Sequence, residues 1–304
     1  MKITILSELD YAGSGRKLYE ALKDGLDIQM FAGRYHNPFS HPELPHKTKR
    51  EIQKRVNESD IIHLKGDFPP KDVYMGIAIR DKPIIVSVSG SHFRKKAYGG
   101  YGKYTTDQYD RAIVKTAFTP DLMYTGFDIW TPHPIDSKKR PITWKRATHP
   151  VLMHTPSNRD RKDTAFFEAV SEKLHKRLKI ETIILENMPF KRIQEYRKEA
   201  TIFFDQFKVG FYGNSAIEAM QYGIPVASWI SPLAFDQSQG QLEQCPVLTT
   251  VKKVDLWAEM IEKAIDGDLE TLSLRTKQWC DNIHSYQTVS KQWQKIYNAV
   301  SMEI

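Results

Sequence analysis

The sequence predicts an α/β protein made of two halves, each a parallel sheet flanked by helices. Three observations carry this. Short β-rich runs alternate with helical stretches through the first half, a Pro-rich charged stretch (PHPIDSKKRP, 132–141) breaks the pattern, and the alternation then restarts. The length of 304 residues supplies about two domains at the usual ~150 residues each.

In the first half, Ile3 to Leu6 reads as a strand, and the loop DYAGSG leads into a helix from Arg16 to Lys23. Ile28 to Phe31 is a second strand. Phe39 to Lys49, rich in Pro and His, reads as an irregular loop. A charged helix (49–57) and a strand (61–64) follow, then a helix from Val73 to Ile79. Pro83 to Val88 is the clearest buried strand. After the interruption come a strand (150–154), a helix (164–178), a strand (182–185), a helix (190–198) and a strand (202–205). A helix from Ser215 to Tyr222, stopped by Gly223 and Pro225, precedes the strand 226–230. Near the end, Val289, Trp293, Ile296, Tyr297 and Val300 share one helical face. That face either packs on the second half or crosses back to brace the first. The division adopted is 1–140, with 286–304 returning to it, and 141–285.

Composition narrows the function classes. Hydrophobic residues at 40% and aromatics at 11% suffice for packed cores, so wholesale disorder is excluded. No apolar run approaches the ~18 residues of a membrane helix. The start, MKITILSELD, is no signal peptide. Two cysteines exclude a disulfide scaffold and a paired-Cys zinc motif. The expectation is a soluble cytoplasmic protein, or one acting in a host's cytoplasm if viral. A net charge of +7 suggests an anionic partner such as a nucleotide, nucleic acid or anionic membrane surface.

Four loops carry candidate chemistry. Gly13-Ser14-Gly15 lies between the first strand and helix, where backbone N–H groups can approach a phosphate. A tight turn explains the same residues, because Leu18 stands where the dinucleotide fingerprint has its third Gly and Walker A spacing is absent. SVSGSHFRKK (87–96) follows the strongest strand, which makes Ser89, Gly90, Ser91, His92 and Arg94 candidates for contact with a polar ligand. His92 is there a base or a structural histidine. HTPSNRDRKDTAFF (154–167) clusters Arg159, Arg161 and Lys162 just before a helix, which suits a phosphate and equally suits a solvated basic turn. In 205–230, Ser215 and Glu218 have capping-box spacing. The functional reading of that segment puts a diphosphate on the amides of 213–215, with Glu218 accepting from ribose hydroxyls. Asp266-Gly267-Asp268 spells a metal-binding DxD, but it lies between helical stretches and reads as a turn.

The order TPDL (119–122), PHPID (132–136), HTPSNRDRKDT (154–164) and DQ…GFYGNSAIEAMQYGIPV (205–226) resembles the retaining GT-B glycosyltransferases of the glycogen-synthase-like class. The match runs from about residue 83 onward and is most specific over 210–226. The resemblance implies two Rossmann-like domains facing across a cleft, with a nucleotide-sugar donor mainly on the C-terminal one. By matching motif positions, Arg159 and Lys162 would hold the donor diphosphate and Glu218 the ribose. Ser157, Asn158, Gly213, Asn214 and Ser215 would complete the donor contacts, with Gly13 and Gly15 approaching from the other domain. Ser89, Gly90, Ser91 and Arg94 would lie on the acceptor side, and His92 beside the chemistry. The family uses no metal and no cofactor beyond the donor, expected here to be UDP-linked. A preorganised cation stabilising the departing diphosphate is worth ~3–4 kcal/mol of barrier.

Three departures stand out. Gly210 replaces the family's second acid, Ser89 replaces the His before the loop Gly, and Asp163 replaces the Gly after Lys162. Between Arg94 and Arg111, tyrosines (Tyr98, Tyr101, Tyr104, Tyr109) interleave with cations, a pattern that can stack bases and contact phosphates. A polar acceptor loop explains it too. The expected activity is therefore retaining, metal-independent sugar transfer to a hydroxyl of DNA, as in viral DNA glucosylation, or of a glycan or lipid-linked sugar. Peripheral membrane contact stays open. The alternative is a non-catalytic nucleotide-sugar or nucleic-acid binding protein, for which Gly210 is the best argument.

Overall fold

The computed structural model describes the chain except for Ala12, residues 37–46, residues 96–99, Gln239 and Ile304, and the side chains of Tyr11 and residues 34–36. Most of the Pro- and His-rich loop, and Tyr98, therefore lie outside the described residues. The chain divides into two compact units. The first comprises Met1–Arg94, Tyr101–Pro134 and Tyr286–Ile304, and the second is built on Ile135–Ser285.

In the first unit, β1 (Lys2–Tyr11), α1 (Ser14–Leu22), β2 (Asp27–His36), α2 (Lys49–Glu58) and β3 (Ile61–Lys65) alternate along the chain. A capping box between Thr48 and Glu51 starts α2. After a hairpin, β4 (Val73–Tyr74) and β5 (Ile77–Ala78), come β6 (Ile84–Val88), β7 (Val114–Ala117) and β8 (Ile129–Trp130). The strands lie in the order β2-β1-β3-β6-β7-β8, and all pairs are parallel. β3 and β6 are buried along their whole length, as the near-continuous apolar runs of a two-face-covered parallel sheet require. The hairpin corrects the helix expected over 73–79. Met75 and Gly76 both adopt positive φ (58° and 76°), the requirement of a two-residue reverse turn, and this overrides the apolar spacing.

The second unit contains β9 (Val151–His154), α3 (Arg159–Lys162), α4 (Thr164–His175), β10 (Glu181–Ile184), α5 (Phe190–Arg197), β11 (Ile202–Phe204) and α6 (Asn214–Met220). β12 (Val226–Ala227), α7 (Pro232–Gln237), α8 (Val254–Asp266) and α9 (Leu269–Ile283) complete it. Its strands run β10-β9-β11-β12, again all parallel. An aromatic cluster supports β11: Phe204 lies 4.9 Å from Phe167, and Phe207 meets Trp257 edge-on at 4.9 Å. Asp268 caps α9 by accepting from the Thr271 amide at 2.9 Å, so the DxD segment is a helix cap. The 132–141 stretch is ordered where it enters this unit: the Ile135 amide donates to the His284 carbonyl at 2.7 Å.

The last helix, α10 (Tyr286–Glu303), belongs to the first unit. Its predicted apolar face (Val289, Trp293, Ile296, Tyr297, Val300) packs with Ile3, Ile5, Leu18, Leu22, Ile61 and Ile85 in one core cluster. A polar anchor sits within this contact. His63 of β3 bonds the Tyr297 hydroxyl at 2.7 Å and Ser87 Oγ at 2.8 Å, with the Trp293 ring 4.4 Å away. Among the described residues no helix is long and apolar enough to cross a membrane.

Candidate functional site

Parallel sheets bind ligands beyond the carboxyl ends of their strands, where the strand order reverses. That point lies between β1 and β3 in the first unit and between β9 and β11 in the second. Each holds a buried lysine and a buried aspartate.

In the second unit, Lys162 ends α3 and is 8% exposed, while Asp205 follows β11 and is 2% exposed. Lys162 Nζ donates to Asp205 Oδ1 at 2.5 Å, and Asp205 Oδ2 accepts from the Gly213 amide at 2.5 Å. Gly213 is the N-cap of α6. The carboxylate therefore joins the predicted phosphate-binding cation to a predicted phosphate-binding amide. Arg159 is about half exposed and pairs with Glu168 and with Glu186 (2.8 Å), which raise its already high pKa. Asn158 caps α3 through the Arg161 amide at 2.8 Å, and Ser157 beside it is exposed. Behind this cluster His154 is fully buried, bonded to the Phe204 carbonyl (2.9 Å) and Thr164 Oγ1 (3.0 Å). Burial, helped by the charges of Lys162 and Arg159, pulls its pKa down to about 4.

The Ser215–Glu218 capping box does not form. α6 starts one residue early, its first turn has no side-chain cap, and Glu218 Oε2 accepts from buried Arg197 at 3.0 Å and from Gln194 at 3.3 Å. A buried guanidinium offers a charge-assisted bond that a neutral cap amide cannot match. Asn214 and Ser215 occupy the first turn, half-buried. Gly210 has φ +82°, and a Cβ added there would lie 3.2 Å from Ser231 Cβ and Oγ, so a side chain here would be strained. Asp163 takes φ +57°, the left-handed region that suits the family's Gly, and it ion-pairs with Lys252.

In the first unit, Gly13 is the N-cap of α1, but the helix amides are already taken. Asp10 Oδ1 accepts from the Gly15 amide at 2.6 Å and Asp10 Oδ2 from the Arg16 amide at 3.2 Å. Lys65 Nζ donates to Ser14 Oγ at 2.6 Å. Burial lowers the Lys65 pKa against the opposing pull of Asp10 and Asp67. A Cβ on Gly15 would lie 2.3 Å from Met30 Cε and 2.9 Å from Lys65 Cδ, so this glycine serves close packing.

The loop after β6 is organised by Asp67, which follows β3. Asp67 Oδ1 accepts from the Ser89 (2.7 Å) and Gly90 (3.1 Å) amides, while Oδ2 takes the His92 amide and His92 Nδ1, both at 3.2 Å. Burial pushes the Asp67 pKa up, but the His92 and amide bonds outweigh it and hold it below the ordinary value. The Ser91 carbonyl accepts from the Tyr101 amide at 2.7 Å. Arg94, by contrast, is buried in a two-pronged pair with Asp121 (2.7 and 2.8 Å) and braces the loop. Asp10, Lys65, Asp67, Arg197 and Asp205 are the residues that motif reading missed. The signal for the four other than Arg197, which lies at the end of helix α5, is a charge at, or just after, the end of a strand, as in IIHLKGD and IFFDQ.

Solved structures resemble the whole chain. An alpha-glucosyltransferase in complex with UDP and a 13-mer DNA matches with TM-score 0.64 at 10% identity, covering 99% of this chain and 100% of that one. A glycosyltransferase from Rickettsia africae matches with TM-score 0.65 at 11% identity over 98% of both chains. HepE of Anabaena, in complex with UDP and glucose, matches with TM-score 0.61 at 12% identity over 98% of this chain and 99% of its own.

The fold is GT-B.

No protein-family model matches the chain, and no curated protein sequence does. At these identities the GT-B likeness establishes architecture, and the chemistry must come from the residues. The described residues contain no group of three or more His, Cys, Asp or Glu side chains able to hold a metal.

Proposed function

We propose that this GT-B chain is a glycosyltransferase that moves a sugar from a UDP-linked donor to an acceptor hydroxyl, with retention and without a metal. The observation that carries the reading is the switch point of the second unit, where Lys162 stands beside the Gly213 amide and Arg159 opens the same short helix as Lys162. Structural neighbours bound to UDP support a nucleotide there. As the glycosidic bond breaks, negative charge grows on the departing diphosphate, and fixed cations stabilise it by ~3–4 kcal/mol each. Arg159 is available at little cost, because exposed ion pairs such as those with Glu168 and Glu186 are worth ~0–1 kcal/mol. Lys162 exchanges Asp205 for a phosphate oxygen. In a same-face reaction, that leaving oxygen accepts the acceptor's proton.

For the acceptor we favour DNA. Support comes from the net charge of +7, the exposed Tyr101 with Tyr104 and Lys103 in the first unit, and the neighbour solved with DNA. A second reading, a non-catalytic nucleotide-sugar binder, is favoured by the closed Lys162–Asp205 pair and by Gly210.

Thermal stabilisation by UDP and UDP-glucose, with and without EDTA, tests the site. Saturation at 100 Kd adds ~2.7 kcal/mol. The expected result is a shift indifferent to EDTA, lost together with donor hydrolysis in Arg159→Ala and Lys162→Ala. Full turnover in both variants would discard the phosphate assignment. Nucleotide binding without hydrolysis or transfer would favour the binder.

A further inference from the structure

His92 is reached by one carboxylate and three aromatic rings. Asp67 bonds its Nδ1, while Phe68, Tyr101 and Tyr104 place ring centroids 5.9, 5.1 and 5.2 Å away. Lys103 lies over the Tyr104 ring, 5.0 Å from its centroid. An ionised carboxylate only accepts hydrogen bonds, so Nδ1 must carry the proton. The other ring nitrogen, Nε2, then holds the free lone pair in neutral His92. Among the described residues no hydrogen bond reaches Nε2, and the ring keeps 14% exposure.

We infer that Asp67 is a positioning residue that holds His92 as its Nδ1–H tautomer and presents Nε2 as a hydrogen-bond acceptor to a substrate hydroxyl. The same carboxylate ties down the backbone that carries the ring, through the amides of Ser89, Gly90 and His92. One group thus fixes both the position of the imidazole and the nitrogen that faces a ligand, the way a buried carboxylate orients a catalytic histidine. The inference rests on the transferase reading and names the polar group that unit one offers a sugar or acceptor hydroxyl.

Nitrogen NMR of the full chain with ¹⁵N-labelled histidine reads the tautomer directly. Wild type is expected to show His92 with protonated Nδ1 and unprotonated Nε2, and adding UDP-glucose or glucose is expected to move the Nε2 resonance. Asp67→Asn keeps an oxygen for the loop amides but can turn an N–H₂ towards Nδ1. It is expected to lose the Nδ1–H signal and the ligand response. Where transfer is measured, its rate should fall on the order of 10²-fold with little change in donor KM. An Nε2–H tautomer in wild type, which requires no variant, would overturn the inference. So would an Nε2 resonance indifferent to both ligands, or transfer undiminished in His92→Gln. UDP stabilisation lost in Lys162→Ala reads the second unit alone, so failure of the donor assignment is told apart from failure here.

Discussion

Asp163 and His154 show how single residues near the proposed phosphate site carry opposite constraints. Asp163 holds φ +57°, which a short polar side chain tolerates and a plain Cβ does not. Asp163→Ala is therefore expected to lower stability by about 1 kcal/mol and Asp163→Gly to be close to neutral, as read by denaturant midpoints. Equal losses in both would locate the effect in the Lys252 pair instead. His154 and His63 are buried and neutral, with pKa values pulled to about 4 and about 3 by burial first, then by nearby cations. The unfolded chain takes up protons near pH 6.5 while the folded one does not, so νU exceeds νN and stability rises with pH across this window. Stability is expected to be unaffected by these groups above pH 6.5. It should fall progressively towards pH 4, by roughly 3 kcal/mol per histidine at most. A profile for His154→Gln about half as steep as wild type between pH 6.5 and 4.5, with the rest left to His63, assigns the share of that site.

Helix α10 was legible as an element because its apolar face repeats with helical period. Its return to the first half was part of the expected division, but amphipathicity alone says that a face is covered and not by which elements. The cover is made by β1, α1, β2, β3 and β6 together, with His63 of β3 bonded to Tyr297 and its ring 4.4 Å from that of Trp293. Trp293→Ala should cost about 3–5 kcal/mol, measured as a lowered unfolding midpoint. A loss under 1 kcal/mol would mean the helix does not brace the sheet. α6 teaches the converse lesson. Ser215 and Glu218 satisfied a local pattern, but Arg197 captured the carboxylate, because a buried cation outcompetes a helix cap. Likewise the apolar spacing over 73–79 gave way to a turn at Met75-Gly76.

The whole molecule is a basic chain of two parallel α/β units, each with a lysine–aspartate cluster at its switch point. Net charge of +7 makes DNA a fair test of the acceptor. If the acceptor is DNA, log K against log salt should fall with a slope of about −0.9 per phosphate neutralised. The slope should shrink by about one unit when a contacting lysine such as Lys103 is replaced. Salt-insensitive or absent binding would redirect the search to glycans and lipid-linked sugars.

The alternation of apolar runs and amphipathic stretches, and the loops where they meet, determined the α/β class, the two units and the segments bearing Arg159, Lys162, His92 and Gly213. These are local properties, fixed by side-chain periodicity and turn chemistry. Strand order is not local. Only the tertiary structure set β3 beside β6 and β9 beside β11, and so brought Asp67 to His92 and Asp205 to Lys162. Those pairings join residues far apart in the chain, and burial makes each carboxylate choose the strongest donor within reach.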